Sequence, residues 1–234
     1  DPIVEQKEVK QWFFKITEYA DELLEAIDDL DWTESVKLAQ KNWIGRSTGA
    51  EVSFSVDGQD SQIKVFTTRV DTIFSAAFIV LAPEHPMVGG LANDDTRAEV
   101  EAYKKASVLK TELERQAVGD KEKSGVFTGS YAINPANDEK IPIWIGDFVL
   151  AGYGTGAVFG DIHDERDFEF LNKFNIPARV TVIPENVNEA EKVKDKEYAY
   201  TSEGILIDSG QFSGMRSEVA REEITNWLSA KNAA

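Results

Sequence analysis

The first part of the chain contains two stretches in which apolar residues recur every three or four positions, the spacing of an amphipathic helix. The first stretch covers residues 10–27, with Trp12, Ile16 and Leu23 among its apolar positions. The second covers residues 33–42, and Gly45 follows it as a stop signal. We predict two helices in this part of the chain.

From Ala50 the apolar period changes to two, which is typical of half-buried strands. Residues 50–56 and 63–65 alternate on either side of Asp57-Gly58, a hairpin turn signal. Further short strands are predicted at residues 78–81, 126–127, 131–133, 141–145, 148–150, 178–183 and 204–207. Helices are predicted at residues 94–118 and 218–229, and a charged segment poor in apolar residues at 185–196 is predicted to be a mobile loop.

Many short strands with a few helices favour a mixed α/β, β-rich fold: a barrel-like β core wrapped by helices, with an N-terminal helical flank. The length of 234 residues suits one large domain or one domain with an appendage, and 42% apolar residues with 13 phenylalanines can fill its core. We find no apolar run long enough for a membrane span and no signal-peptide pattern at the start. The absence of cysteine excludes disulfides, thiol nucleophiles and cysteine-ligated zinc, and we expect a cytoplasmic protein.

Candidate chemistry is concentrated in residues 152–174, where a glycine-rich segment leads into His163-Asp164-Glu165-Arg166-Asp167 and an amphipathic helix. Asp164 fits the N-cap position, which places Asp167 at N3. Carboxylates gathered at a helix N-terminus can hold an ammonium group. They are also favoured there simply because they complement the helix dipole, so both interpretations stay open. The glycine spacing matches neither a dinucleotide fingerprint nor a phosphate loop.

A second segment reads Thr67-Thr68-Arg69-Val70-Asp71-Thr72. Together with His163 to Asp167 it resembles the editing domain of bacterial-type leucyl-tRNA synthetase, whose motifs are Thr-Thr-Arg-Pro-Asp-Thr and His-Asp-x-Arg-Asp. Three other phrases match the family in order: Asn42 to Ser47, Gly125 to Gly129, and Ile141 to Ile145. Val70 replaces the family's proline. Between Gly156 and His163 the family has a small-Val-Pro-small phrase, which here is Phe159-Gly160-Asp161-Ile162 and one residue shorter.

The resemblance implies that residues 1–44 are synthetase scaffold and residues 45–234 are the editing domain. It implies hydrolysis of the ester that joins a wrong amino acid, of isoleucyl, norvalyl or methionyl type, to tRNA-Leu, with water as the attacking group. Asp167 would grip the substrate's α-ammonium, and we expect this carboxylate to stay ionised at its helix N-terminus. Thr67 and Thr68 would orient water or donate to the oxyanion, although threonine is also simply a good strand residue.

Thr72 would exclude leucine by steric contact, because a pocket must reject the cognate residue that way. The remaining substrate-binding positions implied by the resemblance are Asp164, His163, Arg69, Tyr153 and Phe159. The partners expected are the acceptor end of tRNA-Leu carrying a noncognate amino acid and the remainder of the synthetase in cis, with no membrane partner, cofactor or metal, in a monomer. The net charge of −17 predicts weak tRNA binding by this part alone, since cations dominate contacts with phosphates.

Two alternatives remain open. One is an editing-inactive module that only positions tRNA. The other is a metal-dependent hydrolase using His163, Asp164, Asp167 and His85, although the spacing of these residues is not that of a known zinc motif. The ATP-site motifs His-Ile-Gly-His and Lys-Met-Ser-Lys-Ser are absent from the sequence, so ATP binding is expected only of a full-length parent.

Overall fold

A computed structural model describes residues 9–110, 114–115, 123–152 and 154–234. The chain separates into two compact units, one extending to Thr48 and the other running from Gly49 to Ala234. Among the described residues, no helix combines the length and the apolar character needed to cross a membrane.

The N-terminal unit is helical. It contains a 3-10 helix at Ile16–Tyr19, helix α1 at Ala20–Ala26, a 3-10 helix at Ile27–Asp29 and helix α2 at Glu34–Ile44. Ile27 is buried, and Lys41 Nζ lies 2.5 Å from Asp28 Oδ1. The prediction of helix from residue 10 was wrong for residues 10–15, where the consecutive aromatic residues Trp12, Phe13 and Phe14 have low helix propensity.

The second unit is built on a six-stranded sheet with strand order β2-β1-β4-β5-β3-β6. All neighbouring strands are antiparallel except β3 and β5, which are parallel. The edge strands β2 and β6 also contact each other, so the sheet curves into a nearly closed barrel and the predicted barrel-like core is confirmed. The strands are β1 Ala50–Val56, β2 Gln62–Thr67, β3 Phe78–Leu81, β4 Val126–Ile133, β5 Lys140–Ile145 and β6 Ala157–Gly160.

Alternation along the strands places one set of side chains inside the barrel. Val52 pairs with Val65 and Phe54 with Ile63 in the β1–β2 register, and all four are at most 1% exposed. The ring of Phe54 lies 6.1 Å from that of Phe159 on β6, so the two strands share a core. A buried phenylalanine pair of this kind adds attraction beyond its buried area.

Helix α5, Glu165–Phe174, packs through its aromatic side chains against a second core on the sheet. Phe170 is fully buried, with its ring 4.8 Å from Phe78 and 5.4 Å from Trp144. Gly160 allows this close packing, because a Cβ there would lie 2.1 Å from the Phe78 ring. The amphipathic pattern of α5 therefore fixes where the helix begins and where its first-turn acids stand.

The remaining elements are α3 Val88–Leu91, α4 Arg97–Val108, α6 Val187–Lys194, α7 Ser217–Ala230, a two-stranded pair β7 Val182–Ile183 and β8 Ile205–Leu206, and 3-10 helices at Val70–Ser75 and Gly210–Phe212. The predicted loop at 185–196 was wrong, since it contains α6. Asn186 caps this helix by accepting from Glu189 N at 3.1 Å, and Ala190 and Val193 bury its inner face.

Other boundaries also differ from the sequence predictions. Residues 148–150 form a turn rather than a strand, and β4 is one continuous strand with an irregular register between Phe127 and Tyr131. Of residues 178–183 only Val182 and Ile183 form a strand. The helix predicted over residues 94–118 begins at Arg97, and much of its predicted C-terminal part lies outside the described residues.

Candidate functional site

A cavity of about 250 Å³ opens where β2 ends, the 3-10 helix at Val70–Ser75 begins, β6 ends and α5 begins. At about 30 Å³ per water molecule it holds about eight, close to the number of heavy atoms in an amino acid. It is lined by Thr67, Thr68, Arg69, Thr72, Phe159, Asp161, His163, Asp164, Asp167 and Thr201. The fold thus gathers the predicted site residues in one place, except Tyr153, which lies outside the described residues.

Asp164 is the N-cap of α5, as its position in the sequence predicts. Its Oδ1 accepts from Arg166 N at 2.9 Å and from Asp167 N at 3.2 Å. These two bonds satisfy backbone N–H groups that have no partner inside the helix. Asp164 therefore has a structural task in addition to lining the cavity.

Asp167 stands at N3 and its carboxylate forms an ion pair with Lys123, whose Nζ lies 2.9 Å from Oδ1. Its second oxygen, Oδ2, has no donor within the described part of the chain. Burial raises the pKa of Asp167 to about 7, and the nearby carboxylates of Asp164 and Asp161 act in the same direction, while Lys123 opposes them.

The expectation that Asp167 stays ionised through the helix N–H groups needs correction. Those N–H groups donate to Asp164, so Asp167 receives a cation instead of backbone donors. Close to neutral pH this buried carboxyl group is therefore divided between its protonated and ionised forms.

The threonine pair follows directly from the end of β2. Thr67 Oγ1 accepts from Arg69 N at 3.0 Å, which leaves its hydroxyl proton free to be donated. Thr68 is exposed, and its hydroxyl makes no hydrogen bond to the described residues. Both hydroxyls can therefore donate to a group bound in the cavity.

Thr72, in contrast, is 1% exposed and its hydroxyl is fully engaged. Oγ1 lies 2.9 Å from Arg69 O and 2.5 Å from Asp161 Oδ2. With Oγ1 held in this way, the polar end of the side chain is not available to a ligand.

His163 is buried and both ring nitrogens are used. Nδ1 donates to Tyr200 O at 3.1 Å, while Nε2 accepts from Thr181 N at 3.0 Å and Val182 N at 3.1 Å, an arrangement that requires the neutral tautomer with its proton on Nδ1. Burial lowers the pKa of His163 to about 4. His163 thus connects the start of α5 to β7 and has no free nitrogen for base catalysis.

Arg69 lines the cavity, but its guanidinium is bound within the protein. It donates to Asp71 at 2.9 to 3.1 Å and to Thr201 O at 2.8 Å. Asp71 is completely buried and also accepts from Arg221 Nε at 2.9 Å. This network ties the segment carrying Thr72 to α7.

A larger cavity of about 670 Å³ lies elsewhere, between aromatic residues such as Phe127, Tyr131 and Trp144 and the segment 175–179. None of the predicted site residues lines it. Across the part of the chain that the structure describes, no group of three or more His, Asp or Glu side chains could hold a metal ion.

Comparison with known proteins agrees with the resemblance drawn from the motifs. A family model for the editing domain of leucyl-tRNA synthetase matches residues 41–229. The chain belongs to the family of leucyl-tRNA synthetase editing domains. The editing-domain fold is also present in the LeuRS of a ternary complex, Agrobacterium radiobacter K84 agnB2 LeuRS-tRNA-LeuAMS, with a TM-score of 0.73 and 37% identity over 94% of this chain and 24% of that one.

Two leucine–tRNA ligases are similar to this editing domain over nearly its whole length. That of Clostridium tetani (strain Massachusetts / E88) is 48% identical over 97% of this chain, and that of Clostridium beijerinckii (strain ATCC 51743 / NCIMB 8052) is 51% identical over 96%. The chain spans 27% of the length of each relative. It therefore corresponds to one part of a leucine–tRNA ligase.

Sequence reasoning missed several residues of the editing domain's cavity. Asp161 and Thr201, which line it, were not assigned to the site. Lys123 is distant in sequence and no local motif marks it as the partner of Asp167. The one available signal was Asp161 itself, an acid in a segment that otherwise consists of apolar residues and glycine.

Proposed function

We propose that this chain is the post-transfer editing domain of a leucine–tRNA ligase, an aminoacyl-tRNA deacylase that hydrolyses mischarged tRNA-Leu and spares leucyl-tRNA-Leu. The observation that carries the proposal is the cavity in which Asp167, the hydroxyls of Thr67 and Thr68, both able to donate, and the side chain of Thr72 meet. Its size suits an aminoacyl group. Residues 45–234 would form the editing domain, and residues 1–44 would belong to the synthetase scaffold, in the cytoplasm.

In this proposal Asp167 recognises the α-ammonium of the substrate. Oδ1 is held by Lys123, and Oδ2 remains for the incoming cation. The substrate's positive charge stabilises the ionised carboxylate, because an opposite charge at contact distance lowers the pKa of an acid. A charge-assisted hydrogen bond of this kind is stronger and more directional than a neutral one.

Thr67 and Thr68 act on the ester carbonyl. A hydroxyl that donates to the carbonyl oxygen stabilises the negative charge that develops there, and a second hydroxyl can orient water. Water adds to the carbonyl carbon, the bond to the ribose oxygen breaks, and that oxygen takes up a proton. The products are a free amino acid and an uncharged tRNA. A threonine without an adjacent base is a poor nucleophile, and His163 has no free nitrogen to serve as one, so water is the attacking group.

Thr72 provides selectivity in this scheme. Its hydroxyl is turned toward Arg69 O and Asp161, so the side chain acts on a ligand by its volume rather than by hydrogen bonding. A hydrophobic pocket distinguishes similar aliphatic side chains by only about 1–3 kcal/mol per methylene, so an editing site must reject the cognate residue by steric exclusion.

The decisive experiment measures hydrolysis of preformed isoleucyl-, norvalyl- and methionyl-tRNA-Leu by the full-length protein. We expect Asp167→Ala to abolish deacylation. Glu189→Ala is a matched control, because Glu189 also stands at N3 of a helix with an Asx cap but lies on α6, outside the cavity. Full activity of Asp167→Ala, or an equal loss with Glu189→Ala, would contradict the assignment.

The two alternative functions give different results in the same assay. An editing-inactive module that positions tRNA binds tRNA-Leu but leaves all three noncognate esters intact. A metal-dependent hydrolase loses activity in the presence of a chelator. We expect hydrolysis that is insensitive to the chelator.

A further inference from the structure

Asp161 lies in the segment where this chain departs from the family pattern, directly after β6. Its side chain is buried, being 6% exposed, and it lines the cavity. Both oxygens have partners: Oδ1 accepts from His163 N at 2.6 Å, and Oδ2 lies 2.5 Å from Thr72 Oγ1. Asp161 is therefore part of the wall next to Thr72 and is not free to bind a ligand's ammonium as Asp167 is.

The two contacts of the Thr72 hydroxyl depend on where the protons of Thr72 and Asp161 lie. Its Oγ1 lies within hydrogen-bond distance of Arg69 O and of Asp161 Oδ2, and neither a carbonyl nor an ionised carboxylate can donate. A threonine hydroxyl has one proton, so it cannot fully serve both acceptors. Every contact is satisfied when Asp161 is protonated: Asp161 donates to Thr72, and Thr72 donates to Arg69 O.

The surroundings of Asp161 raise the pKa of its carboxyl above the ordinary value. Burial raises this pKa to about 6, and the charge of Asp164 acts in the same direction. The hydrogen bonds that the ionised carboxylate accepts from Thr72 and His163 N, and the charge of Arg69, lower it. Below about pH 6 the protonated carboxyl can donate to Thr72, and above that pH the ionised carboxylate accepts the Thr72 proton. Oγ1 of Thr72 is therefore bound to Asp161 in both forms.

Two hydrogen bonds to one hydroxyl also fix the rotamer of Thr72. Rotation about χ1 moves the hydroxyl and the γ-methyl together through three staggered positions. When Oγ1 is held by Asp161 on one side and Arg69 O on the other, a single position remains for the methyl group. The shape of the cavity at this point then depends on Asp161.

We infer that Asp161 is a specificity-determining positioning residue, which holds Thr72 in the rotamer that presents the wall rejecting leucine. The inference rests on the proposed editing function and deepens it. It also gives a physical meaning to the shortened segment at residues 159–162, where an acid of this chain supplies the support for Thr72.

The test compares hydrolysis of preformed leucyl- and isoleucyl-tRNA-Leu by the full-length protein and its variants. We expect Asp161→Ala to raise the ratio of leucyl to isoleucyl hydrolysis by about tenfold, the lower end of what a pocket gains from one methylene. Asp161→Asn should keep the ratio near that of the wild type. Its amide can donate to Thr72 through Nδ2 and accept from His163 N through Oδ1, as the protonated acid does.

A double-mutant cycle shows whether Asp161 acts through Thr72. Thr72→Ala should raise the same ratio, and adding Asp161→Ala to it should change the ratio no further, because the side chain to be positioned is gone. The inference is overturned if Asp161→Ala leaves the ratio unchanged, or if the effects of the two substitutions add in the double variant. In either case the proposed function still stands as long as the wild-type protein hydrolyses isoleucyl-tRNA-Leu. A wild-type protein that leaves isoleucyl-tRNA-Leu intact contradicts the proposed function, and the specificity role fails with it.

If the Asp161→Ala variant does not fold, Asp161→Val is tested in its place. Valine fills more of the buried space than alanine does and makes no side-chain hydrogen bond. A second readout needs no variant. Three-bond NMR couplings to the γ-methyl carbon of Thr72 report χ1 directly in the wild-type protein. One rotamer supports the inference, and averaging over several rotamers overturns it.

Discussion

Lys123 Nζ lies 2.9 Å from Asp167 Oδ1, and both side chains are largely buried, at 10% and 18% exposure. The same ammonium stands 4.3 Å from the centre of the Phe148 ring. A cation in this position partly offsets the cost of burying Asp167, because an opposite charge favours the ionised form. Lys123 therefore influences the pH range in which Asp167 can bind a substrate's ammonium.

Replacing Lys123 by glutamine removes that charge while keeping most of the side chain's volume. We expect the pKa of Asp167 to rise further, so that half-maximal kcat/KM for isoleucyl-tRNA-Leu moves to higher pH. The pH profile of deacylation measures the shift. Lys194→Gln is the control: it removes one positive charge from the exposed face of α6 and should leave the profile unchanged. A profile unaltered by Lys123→Gln would show that the ion pair does not control Asp167.

Asp167 also makes stability depend on pH. Its pKa is about 3.9 in an unfolded chain and is raised to about 7 in the folded protein. Between these values the folded state binds more protons, so the free energy of unfolding falls as pH rises from about 4 to about 7. The contribution is fully present below about pH 4 and is lost above about pH 7.

Asp167→Asn isolates this effect, because the amide does not titrate in the same range. Urea unfolding of both proteins across this pH window should show the wild type losing stability relative to the variant as pH rises. Asp161, with a pKa raised to about 6, contributes in the same direction in both proteins. A stability difference between the two proteins that is independent of pH would contradict the raised pKa of Asp167.

Thr72→Ala should open the cavity to leucine. The variant loses the γ-methyl and the hydroxyl held by Asp161 and Arg69 O, and we expect it to hydrolyse leucyl-tRNA-Leu at least about tenfold faster than the wild type does. Release of radiolabelled leucine from preformed leucyl-tRNA-Leu measures this rate. If leucine stays protected in the variant, the steric wall is formed by another residue.

Asp71 is expected to matter for stability more than for chemistry. Asp71→Ala leaves Arg69 and Arg221 without their shared buried carboxylate, which we expect to cost about 3–5 kcal/mol of unfolding free energy. Glu203→Ala is the comparison: it removes the more exposed partner of Arg221 and should cost at most about 1 kcal/mol. Equal effects of the two substitutions in urea unfolding would contradict the role given to Asp71.

The sequence predicts those elements that have a strong period of their own. Alternation identified β1 and β2, and the helical spacing of Phe170, Leu171 and Phe174 identified α5 together with its cap at Asp164. The short strand β6 was not predicted, because its four residues lie among glycines and show no clear alternation of apolar and polar positions. It forms a strand because it pairs with β3 in the folded protein. The segment at 185–196 looked too polar for a helix, yet Ala190 and Val193 suffice to anchor α6 to the protein.

At the site, the motifs led to residues that are close in sequence, and the fold then brought the two motifs together. What could not be predicted is contact between distant residues. The side chains of Lys123 and Asp167 are in contact although the residues are 44 positions apart in the sequence. Those of Thr72 and Asp161 are in contact across 89 positions. The raised pKa of Asp167 follows from burial in the folded protein, which local sequence does not describe.

The most direct test of the central claim is a crystal structure of the protein with a non-hydrolysable mimic of isoleucyl-tRNA, such as isoleucine joined through an amide to 3′-amino-3′-deoxyadenosine. We predict the ammonium of the mimic at about 2.8 Å from Asp167 Oδ2, with its side chain against Thr72 and its carbonyl beside Thr67 and Thr68. An ammonium that binds away from Asp167, or a mimic that binds outside this cavity, would contradict the account.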